Sequence, residues 1–157
     1  TQKDGKLMPV VGPIMQSGAP KDFGYPKTSG TYFSGGAGLS STALDYAIFL
    51  QMLVNGGEYN GKRLLSRNTV RMMTMNQVGE LYGTNGFGLG FSVTSAKGSA
   101  ALPVPEGTFE WGGAFTTTYW ADPKEKLVGI FYRQHYGVND QGLSNKYKTL
   151  VYSAIND

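Results

Sequence analysis

The stretch "GTFEWGGAFTTTYWADPKEK", residues 107–126, decides how this chain is read. Two strand-like runs, "TFEWGGAF" and "TTYWAD", are rich in the aromatic and β-branched residues that suit a pleated surface. Asp122-Pro123-Lys124-Glu125 follows as a turn with proline at its second position, so "TTYWAD" and the next run, "KLVGIFYRQ", form a hairpin. The triplet Trp111-Gly112-Gly113 does not fit a plain strand. Glycine weakens a strand interior and marks either a bulge or the close approach of another backbone or a ligand. Both readings are open at this point, the bland one being a bulge with Trp111 as a core aromatic.

Working outward, "FGLGFSV" alternates with period two and reads as one more strand, with Phe87, Leu89, Phe91 and Val93 on one face. Gly86, Gly88 and Gly90 alternate with them, as expected where another element closely covers the second face. Before it, "SSTALDYAIFLQMLVNGG" has Leu44, Ile48, Phe49, Met52 and Leu53 at helical spacing. Thr42 and Asp45 make a capping-box-like start, and Gly56 and Gly57 a left-handed stop. Asn60-Gly61 is a hairpin turn between short strand-like pieces. Ser66 caps a second helix, about Arg67 to Met75, whose methionines Met72, Met73 and Met75 are expected to fill core gaps. "LSNKYKTLVYSAI" closes the chain as a helix with Leu143, Tyr147, Leu150, Val151 and Ile155 on one face. Residues 1–38 are loop-rich, with a short strand near Leu7–Val11; 39–78 are helical; 85–157 hold antiparallel strands and the last helix. The order is that of an α+β unit, an antiparallel sheet with packing helices.

Composition removes several function classes. The net charge is +3 and the basic residues are scattered, which argues against a nucleic-acid or anionic-membrane partner. No apolar run approaches the roughly 18 residues that span a bilayer. Cysteine is absent, excluding disulfides and thiolate chemistry. A single histidine, His135, reads as an ordinary half-exposed residue at a strand end, so neither metal nor cofactor is expected. "GTNGFGLG" and "SGGAG" lack the lysine and helix of a phosphate loop. No Gly-x-Ser-x-Gly or Ser-x-x-Lys occurs. Ser66-Arg67-Asn68 reads as a helix cap, and the "KTSG" at 27–30 as chance within a proline-rich loop. The opening "TQKDGKLMPVVG" has no signal-peptide pattern and no initiator methionine, and reads as cut from something longer.

Taken together, "GGAGLSSTALDYAIFLQMLVNGGEYNGKRLLSRNTV", "GFGLGFSV" and "FEWGGAFTTTYWADPKEKLVGIF" resemble the carboxyl-terminal half of the serine β-lactamase-like superfamily. The branch resembled is that of class C β-lactamases, family VIII esterases and D-Ala-D-Ala peptidases, over about Gly35 to the carboxyl terminus. The resemblance implies a partial β-lactamase/transpeptidase-like fold. It makes Trp111, Gly112 and Gly113 the matching positions of the third active-site motif, on a substrate-binding strand lining a cleft. It also implies that Ala114 lends its backbone N–H to an oxyanion hole, and that the glycines let a small-molecule acyl substrate lie against the strand as an added edge.

The same resemblance places the Ser-x-x-Lys nucleophile and base, and a Tyr-x-Asn element, upstream of these residues. The chain is therefore expected to be the carboxyl-terminal fragment of a serine hydrolase and inactive alone. Its unpaired edges would be met by self-association or by a separate amino-terminal half. A periplasmic or secreted location is favoured by the resemblance. Two rival readings stand beside this one: a non-catalytic module binding cell-wall peptide or glycan through Trp111, Trp120 and Tyr132, and a pseudoenzyme of the same fold that has lost its nucleophile.

Overall fold

The computed structural model describes residues 2–3, 6–9, 33, 35–36, 38–136 and 141–155. Gln2–Lys3 (β1) pairs antiparallel with Lys6–Leu7 (β2). The strand expected near Leu7–Val11 thus ends at Leu7; Val10, Val11 and the "KTSG" loop lie outside the described residues.

The first helix, Ala43–Val54 (α1), starts where its cap chemistry says it should. Thr42 Oγ1 accepts from the Asp45 N–H at 3.1 Å and donates to the Asp45 carboxyl at 2.8 Å. At the other end Gly57 N–H reaches Met52 O at 2.8 Å and Gly56 N–H reaches Leu53 O at 2.9 Å. Gly56 and Gly57 have positive φ, 71° and 97° respectively, which completes a Schellman stop. Asn60 and Gly61, also at positive φ, turn Glu58–Tyr59 (β3) back onto Lys62–Arg63 (β4).

Of the apolar residues at helical spacing on α1, Phe49, Met52 and Leu53 turn inward, but Leu44 and Ile48 do not. Leu50, Met52 and Leu53 are buried, with Tyr46 and Phe49 packed beside them, whereas Leu44 is 71% exposed and Ile48 lies at the surface. The helix is apolar around much of its circumference, so periodicity alone could not single out the face the sheet would cover. Arg67–Met73 (α2) is capped by Ser66, whose Oγ accepts from the Thr69 N–H at 3.0 Å. It stops two residues short of Met75. Met73 packs against the core, while Met72 and Met75 sit at the surface near the Arg71 guanidinium instead of filling core gaps.

"FGLGFSV" is two strands rather than one. Gly86–Phe87 (β5) and Ser92–Val93 (β6) pair antiparallel, and the chain reverses at Leu89-Gly90, with Gly90 at φ 94°. Leu89 is exposed on the turn, and alternation merely continued across it. The close cover expected of the glycines is present at two of the three: a Cβ on Gly88 would come within 2.1 Å of Met73 O, and one on Gly86 within 2.6 Å of the Asn76 side chain, whereas Gly90, on the turn, has nothing within 4 Å. A short helix, Ala96–Ser99 (α3), leads to Phe109–Gly112 (β7), Thr118–Asp122 (β8) and Leu127–Phe131 (β9). The five-stranded sheet runs β5-β6-β7-β8-β9, antiparallel throughout.

Its α1 side carries the core: Phe91, Val93, Phe109, Tyr119 and Ala121 against Leu50, Leu53 and Val70. The other side receives the last helix, Gln141–Ser153 (α4). The apolar residues expected to face inward here mostly face out, Leu150 being 60% exposed and Leu143 also at the surface. The face turned to the sheet carries polar groups. Lys148 pairs with Glu110, Ser144 meets Thr118 and Arg133, and Tyr152 Oη donates to Asp122 Oδ2 at 2.8 Å. This side of the sheet presents Glu110, Thr118 and Asp122, so a polar helix face is what satisfies it.

Asp122 is 0% exposed, and its other oxygen caps the turn N–H groups of Lys124 and Glu125. Tyr152→Phe would leave Oδ2 buried without that donor. It is expected to lower the unfolding free energy by about 1–3 kcal/mol, read as a reduced midpoint in urea with an unchanged slope.

Candidate active site

The candidate strand takes its geometry from β8. Trp111 opposes Tyr119 and Gly112 opposes Thr118, with unbroken register from Phe109. Gly113 N–H continues the ladder to Thr117 O at 2.9 Å. In an antiparallel pair alternate residues point their main chain to alternate sides. Residues 109, 111 and 113 therefore bond to β8, and 108, 110, 112 and 114 face the β6 side. The Thr94 N–H to Thr108 O bond at 2.8 Å agrees. On that side, pairing ends at Ser92–Glu110, because the β5–β6 turn carries the chain away. The main chain of Gly112 and Ala114 thus looks out over an open edge. Among the described residues, nothing accepts from the Ala114 N–H.

The two readings of the triplet can now be separated. There is no bulge, and Trp111, at 44% exposed, is not a core aromatic. A Cβ on Gly112 would meet Thr117 O at 2.8 Å and one on Gly113 would meet Thr117 Oγ1 at 2.5 Å. The close backbone belongs to the hairpin itself.

The loop after the triplet is tightly tied. Gly113 O accepts the Thr116 N–H at 3.0 Å, making Ala114 and Phe115 the centre of a turn. Phe115 O accepts both His135 N–H at 2.9 Å and Thr116 Oγ1 at 2.6 Å. Thr116 has φ 63°, a left-handed conformation that costs a non-glycine residue about 1–3 kcal/mol. His135, read from sequence as an ordinary strand-end residue, is half-buried and joins the site through its main chain.

One wall is aromatic. Phe87 meets Trp111 edge-on, centroids 5.2 Å apart, and Tyr82 lies 4.8 Å from Phe87 and 6.4 Å from Trp111. Sequence reasoning passed over Tyr82, whose loop carries no periodicity. Along the same strand, on the α4 side, runs a cavity of about 480 Å³ bordered by Trp111–Ala114, Tyr82, Arg133 and Lys148. Lys148 is 8% exposed, paired with Glu110 and 5.4 Å from the Trp120 ring centroid.

Burial, reinforced by hydrogen bonding to Tyr46, pushes the Tyr119 phenol far above its ordinary value; burial and the nearby Tyr46 also raise Tyr132. Both stay protonated at neutral pH and supply no base. Among the described residues no three His, Asp or Glu gather to hold a metal, and no helix is long and apolar enough to cross a membrane. What the arrangement offers is outward N–H donors, an apolar wall and an edge to which an extended group can be added. Trp120 is buried, so of the aromatics Trp111, Trp120 and Tyr132 only Trp111 is well exposed.

The family model described as Beta-lactamase matches residues 4–152. Protein Rv1367c of Mycobacterium tuberculosis is 34% identical over 122 residues, which cover 69% of this chain and 30% of that protein. A D-alanyl-D-alanine carboxypeptidase-like protein of Escherichia coli O157:H7 is 36% identical over 89 residues, 53% of this chain and 20% of its own. Among solved structures, EstCE1, a hydrolase with promiscuous acyltransferase activity, matches with a TM-score of 0.66 and 27% identity, over 83% of this chain and 34% of its own. The chain thus spans about a third or less of the length of each.

The two tryptophans give a direct check on the exposure of the strand. Acrylamide is expected to quench the Trp111 emission and spare that of Trp120, so Trp111→Phe should abolish the accessible component. Equal quenching of both would contradict an open edge.

Proposed function

Because the chain belongs to the Beta-lactamase family, we propose that it is the carboxyl-terminal part of a serine hydrolase that works by acyl transfer on β-lactam, ester or peptide-like amide substrates. The observation that carries this reading is the outward Ala114 N–H beside an open strand edge. In acyl transfer the carbonyl oxygen gains charge as the tetrahedral intermediate forms, and a fixed N–H aimed at that oxygen stabilises it. Ala114 is the donor in this reading, while Trp111, Gly112 and Gly113 form the strand along which the substrate lies. The nucleophilic serine and its proton-shuttling Lys/Tyr partners belong to other segments of the protein. Without them there is no acyl-enzyme to stabilise, so the 157-residue chain is inactive alone. Trp111 stands where many family members carry a lysine. Lacking that cation, and with Phe87 and Tyr82 behind it, the site favours esters and uncharged amides over anionic substrates.

The parts that complete the site also cover exposed apolar surface. Leu44, Leu64 and Leu150 are open to solvent, and β9 pairs only with β8 among the described strands. Their cover is a second copy of the chain or the amino-terminal half of the same protein.

Ala114→Pro removes the N–H at the second position of a turn, where proline is well tolerated. In the longer protein it is expected to lower kcat for p-nitrophenyl acetate roughly 10²–10³-fold. The 157-residue chain should turn over neither that ester nor nitrocefin above its own Ala114→Pro background; turnover above it would overturn the assignment. Light scattering of the chain alone should give a mass above the monomer, and a stably folded monomer would refute the need for cover.

A further inference from the structure

We propose that Thr116 is a positioning residue for the Ala114 N–H, its main chain and its hydroxyl together locking the peptide that carries that donor. The proposal rests on reading Ala114 as the oxyanion donor. Three-residue hairpin loops often close with a residue in the left-handed region, and glycine or asparagine fills that place with least strain. Among the described residues, three other than glycine have positive φ: Asn60, Lys126 and Thr116. Only Thr116 is β-branched, the type for which this conformation is a genuine outlier. Such strain persists only where the surroundings over-determine it.

Here they do. Thr116 N–H holds Gly113 O at 3.0 Å on the β8 side of the strand. The Gly113–Ala114 peptide is trans, so its N–H points opposite to that carbonyl, toward the open edge. Fixing one end of this planar unit fixes the other. The hydroxyl then secures the next link. Thr116 Oγ1 donates to Phe115 O at 2.6 Å, and the same carbonyl receives His135 N–H at 2.9 Å from the chain that leaves β9. Glycine at 116 would adopt the same φ without strain, but nothing on its side chain would hold the Phe115 carbonyl. Threonine gives up local backbone comfort for a single direction of the donor.

The test is the order of the Ala114 amide, measured by ¹⁵N relaxation in the 157-residue chain. In the parent and in Thr116→Ser, which keeps the hydroxyl, the order parameter should stand near the ~0.85 of rigid backbone. In Thr116→Val and Thr116→Gly, which keep the main-chain bond to Gly113 O but lose the hydroxyl, it should fall measurably below the parent's value. Thr116→Gly also relieves the strain, so its Tm should hold or rise while the order is lost, which separates positioning from mere stability. An Ala114 amide equally rigid in the valine and glycine variants would overturn the proposal. In the longer protein, Thr116→Val should lower kcat for p-nitrophenyl acetate roughly 10–100-fold at unchanged KM, with Thr116→Ser restoring it. If order is lost and kcat is unchanged, the positioning stands and the donor role of Ala114 falls. If order is kept while kcat drops, the positioning falls.

Discussion

The structure depends on one strand being buried on both faces. Along β8, Tyr119 and Ala121 pack toward α1, while Trp120 and Asp122 turn toward α4, and all four are buried. The Trp120 indole lies across Gly129 of β9, where a Cβ would come within 2.1 Å of the ring. That contact tolerates glycine and nothing larger, so it admits one alignment of β8 with β9. A slip of one residue would send Trp120 into the α1 core and Tyr119 into the polar side. The register passes from β8 to β7 through Phe109–Ala121 and Trp111–Tyr119. It therefore determines which main-chain groups beyond Trp111 bond inward and which look out.

The two sides of the sheet are held by different forces. The α1 side is an apolar core in which Leu50, Leu53, Phe91 and Phe109 exclude water. The α4 side is held by paired polar groups, Lys148 with Glu110 and Tyr152 with Asp122, around the large Trp120 and Tyr147 rings. Polar pairs specify position more than they add net stability, since much of their attraction offsets desolvation. A helix docked this way keeps its own apolar residues outward. That explains why a unit with a real core still presents Leu143 and Leu150 to solvent, and why association with further protein surface is part of the functional reading.

What could be read from sequence is what local chemistry controls. The Thr42 and Ser66 caps, the Gly56-Gly57 stop, the Asn60-Gly61 turn and the Asp122-Pro123 hairpin each follow from a few neighbouring residues, and the α+β antiparallel arrangement follows from their order. The misreadings fall where tertiary partners decide. "FGLGFSV" keeps period two straight through its turn at Leu89-Gly90, so alternation could not reveal a hairpin. Hydrophobic spacing reports what can be buried: on α1 it picks out the inward Phe49, Met52 and Leu53 but also the exposed Leu44 and Ile48, and on α4 the sheet's Glu110, Thr118 and Asp122 select a polar face instead. At the candidate site, Trp111 to Ala114 stood out through an unusual triplet. Tyr82, Thr116 and His135 did not: a ring from an aperiodic loop, a left-handed threonine and a backbone donor leave no mark in a sequence.

The central claim is that the β7–β8 register leaves the Gly112 and Ala114 N–H groups facing an open edge while Trp111 and Gly113 bond inward. Amide hydrogen exchange of the folded chain, resolved residue by residue, tests it most directly. The account predicts slow exchange at Trp111 and Gly113 and fast exchange at Gly112 and Ala114. Slow exchange at Gly112 and Ala114, or the opposite alternation, would contradict it.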